Sequence, residues 1–182
     1  MNKIKDIIKE RVLVLDGPMG TMVQGYGLKE TDFRGSEFKD HPMDVVGNND
    51  ILSITRPDII SEIHKSYLLA GADLIETNTF NANSISQADY QMEHMVYELN
   101  LQSAKIAKDI SDRFTKSNPN KPRFVCGAIG PTNQTASMSP DVSDPGHRNV
   151  DFDQLVDAYK EQVCGLVDGG VDILMIETVF DT

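Results

Sequence analysis

The sequence predicts an α/β fold in which parallel β-strands alternate with α-helices. Short apolar runs rich in β-branched residues alternate with longer segments whose apolar residues recur every three or four positions. Strict alternation indicates parallel pairing with right-handed crossovers, which leaves a doubly wound sheet or a (β/α)8 barrel. Gly71–Thr77 and Gly170–Thr178 also share a glycine, an aspartate, an apolar strand and a terminal Glu-Thr. This internal repeat suits a barrel, whose alternate strands contribute to the same interior layers.

Four strands and three intervening helices are predicted along the chain. Turn residues end the strands, Pro57 suits a first helical turn, and Asp151 with Gln154 forms a pair like a capping box. A long loop rich in Ser, Asn, Asp and Pro follows the third strand. The elements are a strand over Val12–Leu15, a helix from Thr55 to Gly71, a strand from Leu74 to Phe80, a helix over Val96–Ile110, a strand over Phe124–Ile129, a helix from Asp151 to Gly169 and a strand over Ile173–Ile176.

Composition limits the class of protein and its ligands. The formal net charge of −11 argues against a nucleic-acid partner, because such binding depends on Lys and Arg that neutralise phosphates. No window approaches the roughly 18 uninterrupted apolar residues of a membrane span, and the charged opening does not resemble a secretory signal. We therefore expect a cytoplasmic protein whose ligands are small molecules or other protein domains. The 182 residues form one continuous unit without an evident linker.

Three carboxylates lie where parallel strands end, which is where this architecture binds ligands. Asp16 follows the first strand, Glu76 the second and Glu177 the fourth. Each could bind a cation or accept hydrogen bonds from the backbone amides of a neighbouring loop, and we weigh these two possibilities equally. The turns Asp16–Thr21 and Gly130–Asn133 could present backbone N–H groups to an anion, or could be turns only.

No metal site is predicted within the chain. The four histidines show no paired spacing, and the two cysteines lie far apart and outside any C-x-x-C motif. Cys126 falls inside the third strand as a small buried hydrophobe, and Cys164 lies on the last helix. No serine or cysteine stands at a nucleophile elbow. The histidines are His41, His64, His94 and His147.

Several long motifs resemble the homocysteine S-methyltransferase family in order and spacing. The loop that runs from Gly130 to Asn149 is similar to the cobalamin-dependent methionine synthases in particular. Together with the closing Ile176–Thr182, the resemblance spans nearly the whole chain. The family motifs are Val14–Met22, Gly47–Asp50, Ala70–Asn81 and Gly130–Asn133.

The resemblance implies a (β/α)8 TIM barrel that binds homocysteine near a zinc ion. The substrate sulfur, bound to zinc as a thiolate, would take a methyl group from methylcobalamin carried on another domain and form methionine. Position by position, Asp16 and Glu177 resemble the residues that hold the substrate ammonium, and Gly17 resembles a backbone contact. The same comparison places Glu76, Thr77 and Asn78 on the pocket floor.

The family's zinc is held by cysteines of later strands, and neither Cys126 nor Cys164 matches them. The resemblance therefore implies that this chain is the first half of the barrel, a single incomplete domain over residues 1–182, with its zinc ligands beyond Thr182. Folate and cobalamin domains of the same polypeptide would follow. Two alternatives are a free-standing homocysteine S-methyltransferase with a sulfonium or betaine donor, and a half-barrel that is inert on its own.

Overall fold

The computed structural model describes residues 3–181 and consists of short helices, three long helices and one parallel sheet. The limits of the predicted domain, residues 1 and 182, lie outside this range. In chain order the elements are α1 Lys3–Glu10, α2 Met19–Gln24, α3 Glu30–Arg34, a 3-10 helix Asn49–Ile51, α4 Leu52–Thr55, α5 Pro57–Ala70, β1 Leu74–Glu76, α6 Ser84–Gln87, 3-10 helices Ala88–Tyr90 and Glu93–Met95, α7 Val96–Ser117, β2 Phe124–Ile129, α8 Phe152–Asp168 and β3 Ile173–Ile176.

The sheet has the strand order β1-β2-β3, and both pairs are parallel. In the register, Glu76 lies opposite Cys126, which in turn lies opposite Ile173. Because side chains alternate along a strand, Leu74 and Glu76 share one face with Cys126. Helix α1 and Leu13 pack against this face through the cluster that contains Leu74 and Cys126, whereas α5 and α7 cover the opposite face. Helices thus pack on both faces of the sheet, but β3 leaves Leu174 and Ile176 exposed.

The prediction of four strands is not met, because Val12–Leu15 does not form a strand. Leu15 makes an isolated parallel bridge to Leu74, and the Asp16 N–H donates to the Leu74 carbonyl at 3.0 Å. Two physical reasons account for the difference. The neighbour β1 has only three residues, and the segment lies at an open edge with Val12 84% exposed. The segment therefore runs beside β1 without a continuous ladder.

The predicted second strand is shorter than expected and ends at Glu76 rather than Phe80. After Glu76 the chain turns, with the Thr79 N–H donating to the Thr77 carbonyl at 2.9 Å. The Thr77 hydroxyl accepts from the Ala128 N–H at 3.0 Å, which ties this turn to β2. The residues after the strand thus form a turn that is bonded to β2 instead of extending the sheet.

The internal repeat corresponds to one hydrogen-bonding unit used twice. The Asp73 N–H donates to the Val14 carbonyl at 2.7 Å, and the Asp73 carboxylate accepts from the Val14 N–H at 3.0 Å. In the same way, Asp172 donates to the Val125 carbonyl at 2.9 Å and accepts from the Val125 N–H at 2.8 Å. Each aspartate fastens the start of its strand to the preceding segment. Val14 therefore occupies the position of a strand residue.

The three long helices begin close to where the sequence predicts. Helix α5 has Pro57 at its first turn and ends at Gly71, whose φ of 115° is left-handed and so favours glycine. Asp151 and Gln154 form the predicted capping box at the start of α8. Helix α7 begins at Val96 and continues to Ser117, past Ile110, which is the last apolar position of the predicted pattern. Among residues 3–181, no helix is long and apolar enough to cross a membrane.

His64 on α5 is fully buried, and neither ring nitrogen has a hydrogen-bond partner. Burial lowers its pKa from 6.5 to about 4, so the folded protein holds this imidazole neutral. As the pH falls below 6.5, His64 binds a proton in the unfolded chain, whereas in the folded chain it does so only near pH 4. This residue therefore costs the folded state stability as the pH falls through that window.

We expect His64→Leu to make the folded protein more tolerant of acid. When the pH is lowered from 7.5 to about 5.5, the free energy of unfolding of the wild type should fall by about 1 kcal/mol more than that of His64→Leu. At pH 7.5 the change should be close to neutral, because an unpartnered polar group is replaced by an apolar one of similar size. Urea denaturation at both pH values measures this. The exposed His94→Gln serves as the control, and an unchanged pH dependence in His64→Leu would contradict the expectation.

Candidate functional site

A cavity of about 320 Å³ opens at the carboxyl ends of the strands. Its walls come from the turn after the Val12–Leu15 segment, the 3-10 helix Asn49–Ile51, the turn after β1 and the residue after β3. All six residues that the sequence predicts for the site line this cavity. The lining consists of Asp16, Gly17, Pro18, Met19, Gly20, Gly47, Asn49, Asp50, Glu76, Thr77, Asn78, Thr79, Phe80, Asn81 and Glu177.

Asp16 is held by the backbone of β1. Its N–H donates to the Leu74 carbonyl at 3.0 Å, and its Oδ2 accepts from the Glu76 N–H at 3.1 Å. The other oxygen, Oδ1, is buried and has no hydrogen-bond partner. Burial, together with the negative charges of Glu76 and Glu177, raises the pKa of Asp16 to about 7. Asp16 therefore has an acceptor atom available for a cationic or hydrogen-bonding ligand.

Glu76 and Glu177 lie close enough to Asp16 to influence its ionisation. Burial raises the pKa of both glutamates, and the charge of Glu177 raises that of Glu76 further. The Glu177 N–H donates to the Ile129 carbonyl at 3.1 Å, which fixes this residue beside the end of β2. No Lys, Arg or His belongs to the described lining. The cavity thus has an excess of negative charge that a bound cation would relieve.

Gly17 begins the turn that follows Asp16. A Cβ at this position would lie 3.0 Å from the Tyr67 ring and hydroxyl, so glycine leaves room for that side chain. The Tyr67 hydroxyl donates to the Pro18 carbonyl at 3.4 Å. This contact supports the turn from α5, and the turn leads into α2. The backbone of Gly17 consequently lines the cavity beside the Asp16 carboxylate.

Thr77 and Asn78 line the cavity, but their polar groups are already engaged. The Thr77 and Thr79 hydroxyls are 2.6 Å apart, and the Thr79 hydroxyl donates to the Ala128 carbonyl at 2.8 Å. The Asn78 amide donates to the Asn49 carbonyl at 2.7 Å. These two residues therefore line the cavity with side chains that are held by other parts of the protein. Their contact with a substrate remains a prediction.

Sequence reasoning missed Asp50, which lines the same cavity and is 3% exposed. Its Oδ1 accepts from the Asn81 N–H at 3.3 Å, and burial raises its pKa to about 7. The motif Gly47–Asp50 is evident in the sequence, but no predicted strand end places it at the site. The only indication in the sequence that Asp50 belongs to the site is the run of two asparagines and an aspartate after Gly47.

The predicted anion-binding turn Gly130–Asn133 does not line this cavity. Pro131 and Thr132 line a separate groove of about 620 Å³, together with apolar side chains of α8 and the segment after β3. Asp181 accepts from the Ala136 and Ser137 N–H groups at 2.7 and 3.1 Å, which fastens the long loop over this groove. The strand-end carboxylates and this turn thus belong to different surfaces.

Within residues 3–181, no group of three or more His, Cys, Asp or Glu side chains could hold a metal ion. Cys126 is buried in β2, where burial and the charges of Glu76 and Asp16 raise its thiol pKa to about 12. Cys164 is exposed on α8. The described cysteines therefore do not fit a zinc site. The predicted location of the zinc ligands after Thr182 remains a prediction.

A family model described as homocysteine S-methyltransferase matches residues 13–182. The chain belongs to the homocysteine S-methyltransferase family.

Solved structures of the homocysteine methyltransferase MmuM from Escherichia coli share the fold. The metallated form has a TM-score of 0.72 and 20% identity, and the match covers 98% of this chain and 58% of that one. The oxidized form has a TM-score of 0.72 and 21% identity, covering 98% and 57%. The apo form has a TM-score of 0.59 and 20% identity, covering 92% and 49%. The matches therefore cover between 49% and 58% of the length of these relatives.

The comparisons confirm the predicted fold in part. A mixed α/β chain with a three-stranded parallel sheet matches part of a TIM-barrel-type methyltransferase. The family model confirms the resemblance at the level of the homocysteine S-methyltransferases. The finer assignment to the cobalamin-dependent methionine synthases remains a prediction.

Proposed function

We propose that the chain binds L-homocysteine for methyl transfer to its sulfur, which yields methionine. The convergence of Asp16, Glu76 and Glu177 on one cavity without a basic lining residue carries this proposal. In a member of the homocysteine S-methyltransferase family, these carboxylates suit the ammonium group of the amino-acid substrate. In the reaction, the sulfur would lose its proton and form a bond to the methyl carbon, while the bond between that carbon and its donor breaks.

Each predicted site residue has a distinct part in the proposal. The unpartnered Oδ1 of Asp16 accepts from the substrate ammonium, and Glu177 accepts from the same group on the β3 side. Gly17 offers its backbone beside them. Glu76 adds negative charge, while Thr77 and Asn78 hold the floor through their bonds to β2 and to Asn49. An ion pair with the ammonium would stabilise the ionised form of Asp16 and so offset the desolvation that raises its pKa.

The proposed parent is a cobalamin-dependent methionine synthase, in which 5-methyltetrahydrofolate supplies the methyl group by way of methylcobalamin. The long loop after β2 favours this parent, because its sequence resembles that group. Asp181 accepts hydrogen bonds from this loop at Thr135, Ala136 and Ser137. The proposal includes folate and cobalamin domains of the same polypeptide, a domain that continues beyond residue 182, and a cytoplasmic location. The proposal places the zinc ligands beyond residue 182, because no group of side chains among residues 3–181 could hold a metal ion.

The alternative is a homocysteine S-methyltransferase that uses a sulfonium or betaine donor. The family match suits either donor class. An assay of the full-length protein with L-homocysteine and each donor in turn separates them. We expect methionine only with methylcobalamin or 5-methyltetrahydrofolate. Turnover with a sulfonium or betaine donor would favour the alternative, and absence of turnover with every donor would contradict the proposed methyl transfer.

A further inference from the structure

We infer that Asp181 is a positioning residue, which keeps Glu177 at the cavity by fastening the segment after β3 to the long loop after β2. The inference rests on the proposed function and extends it to a residue outside the substrate site. Asp181 lines the neighbouring groove and is not part of the cavity lining. Its effect on substrate binding therefore has to pass through Glu177.

The sheet holds Glu177 by a single backbone contact. In the part of the chain that the structure describes, β3 pairs with β2 alone. The Glu177 N–H donates to the Ile129 carbonyl at 3.1 Å at the end of this pairing. Within residues 3–181, no hydrogen bond involves the next three residues, 178–180. The direction in which the chain leaves Glu177 is thus not fixed by the sheet.

The backbone of Thr178 turns the chain immediately after Glu177. Its φ of 55° lies in the left-handed region, which is unfavourable for a residue with a β-branched side chain. Such a conformation persists only where the surrounding structure imposes it. If those contacts were lost, the Thr178 backbone would relax to a negative φ. This change would redirect the chain beside the residue whose carboxylate lines the cavity.

Asp181 supplies the hydrogen bonds that hold this segment in place. Its Oδ1 accepts from the Thr135 hydroxyl at 2.8 Å and from the Ser137 N–H at 3.1 Å. Its Oδ2 accepts from the Ala136 N–H at 2.7 Å. Hydrogen bonds to an ionised carboxylate are stronger than those between neutral groups. The segment from Thr178 to Asp181 is therefore fixed at both ends, by the sheet and by the loop.

The loop is itself anchored where Asp181 contacts it. Arg148 donates to the Ala136 carbonyl at 2.7 Å and to the Ser137 carbonyl at the longer distance of 3.4 Å. The N–H groups of the same two residues bind Asp181. At the start of the loop, the Tyr159 hydroxyl of α8 donates to the Gly130 carbonyl at 3.1 Å. The loop can thus act as a fixed support for the end of β3.

The test is calorimetric titration of the full-length protein with L-homocysteine. Asp181→Ala removes the three hydrogen bonds to the loop. Thr178→Gly keeps the left-handed turn accessible without them, because glycine adopts positive φ about as readily as negative φ. The exposed Asp144→Ala is the matched control. It removes a carboxylate that accepts from the Gly146 N–H within the same loop and does not contact the segment after β3.

We expect Asp181→Ala to weaken homocysteine binding by about tenfold, because a left-handed threonine without support is unfavourable on that scale. The double variant with Thr178→Gly should recover to within about threefold of the wild type. In Glu177→Ala, the further change Asp181→Ala should alter affinity by less than about twofold, because the group that Asp181 positions is already absent. Asp144→Ala should bind homocysteine like the wild type.

Wild-type affinity in Asp181→Ala would overturn the inference. An equal loss with and without Glu177, or no recovery with Thr178→Gly, would also overturn it, since either result indicates a general structural role. If Asp181→Ala does not fold, Asp181→Asn enters the same comparisons, because its remaining oxygen can still accept from Thr135 and Ser137. We expect it to lose less affinity than Asp181→Ala and to show the same dependence on Glu177.

The proposed function has a separate readout in the wild type. If the wild type does not bind homocysteine, substrate recognition fails and the inference fails with it. If the wild type binds homocysteine and the affinity is indifferent to Asp181, only the positioning role is contradicted.

Discussion

Asp16→Asn and Glu177→Gln should each weaken the binding of L-homocysteine by about 10- to 100-fold in the full-length protein. Loss of one charge-assisted hydrogen bond to the substrate ammonium corresponds to about 1.5 to 3 kcal/mol, which gives this range. Asp16→Asn should have the larger effect, because Oδ1 of Asp16 is a buried acceptor that no group of the protein satisfies. Titration calorimetry with homocysteine measures the change directly.

The affinity for homocysteine should depend on pH through the ionisation of Asp16. Its pKa is raised to about 7, and only the ionised carboxylate attracts an ammonium group. Homocysteine binding should therefore strengthen as the pH rises through about 7 in the wild type, and this rise should be absent from Asp16→Asn.

Two measurements separate a loss of substrate contact from a loss of structure. The metal content of the full-length protein should be the same in the wild type, Asp16→Asn and Glu177→Gln, because neither residue belongs to a described metal site. The exposed Asp153→Asn on α8 should retain wild-type affinity. If both site variants bind homocysteine as tightly as the wild type, the ammonium site is assigned to the wrong residues.

Gly130→Ala should destabilise the folded protein by roughly 3 kcal/mol or more, which is a large value for a single added methyl group. A Cβ on Gly130 would lie far inside contact distance of the Phe80 carbonyl oxygen and 3.0 Å from the carbonyl carbon. Backbone atoms cannot rotate away as a side chain can. The turn after β1 would have to move, and Phe80 and Asn81 of that turn line the cavity.

Urea denaturation of Gly130→Ala measures the loss of stability, and homocysteine titration measures the displacement of the cavity wall. For the stability measurement, Gly20→Ala is the control, because a Cβ there would lie 3.7 Å from the Asn49 amide in ordinary contact, within helix α2. It is not a control for binding, since Gly20 lines the cavity. We expect the control to change the free energy of unfolding by about 1 kcal/mol or less. Equal stabilities for the two variants would contradict the close approach of β2 and the Phe80 turn.

Hydrophobic periodicity was sufficient to predict the long helices and the central strands. Helices α5 and α7 bury most of their regularly spaced apolar residues, and β2 is buried along its full length. Helix α8 also forms where its pattern predicts, but it leaves Phe152, Val156 and Val167 exposed. The segment Val12–Leu15 has an equally apolar pattern but lies at an open edge beside a strand of three residues. Pairing depends on the neighbour as well as on the segment, and the sequence pattern does not record this.

The shorter helices were missed because tertiary contacts, rather than local pattern, determine them. Helices α2, α3 and α4 have four to six residues each, too short to form alone in water or to display a helical period. They are stabilised by the cluster that packs Val23, Phe33 and Leu52 against α5 and α7. Such a cluster brings together residues far apart in the chain, which no local window contains.

The candidate site also contains residues that the sequence predicts and one that it does not. Asp16, Glu76 and Glu177 could be predicted because carboxyl ends of parallel strands meet at one edge, and the structure places all three at one cavity. Asp50 could not be predicted by this rule, because it arrives on a 3-10 helix between α3 and α4. Its position depends on Gln87 and Asn81, residues more than thirty positions further along the chain.

A crystal structure of the full-length protein with L-homocysteine would test the central claim most directly. We predict that the substrate ammonium lies about 3 Å from carboxylate oxygens of Asp16 and Glu177, within hydrogen-bonding distance. The thiol sulfur should be directed away from these two carboxylates. Homocysteine bound outside this cavity, or bound with its ammonium distant from Asp16 and Glu177, would contradict the account.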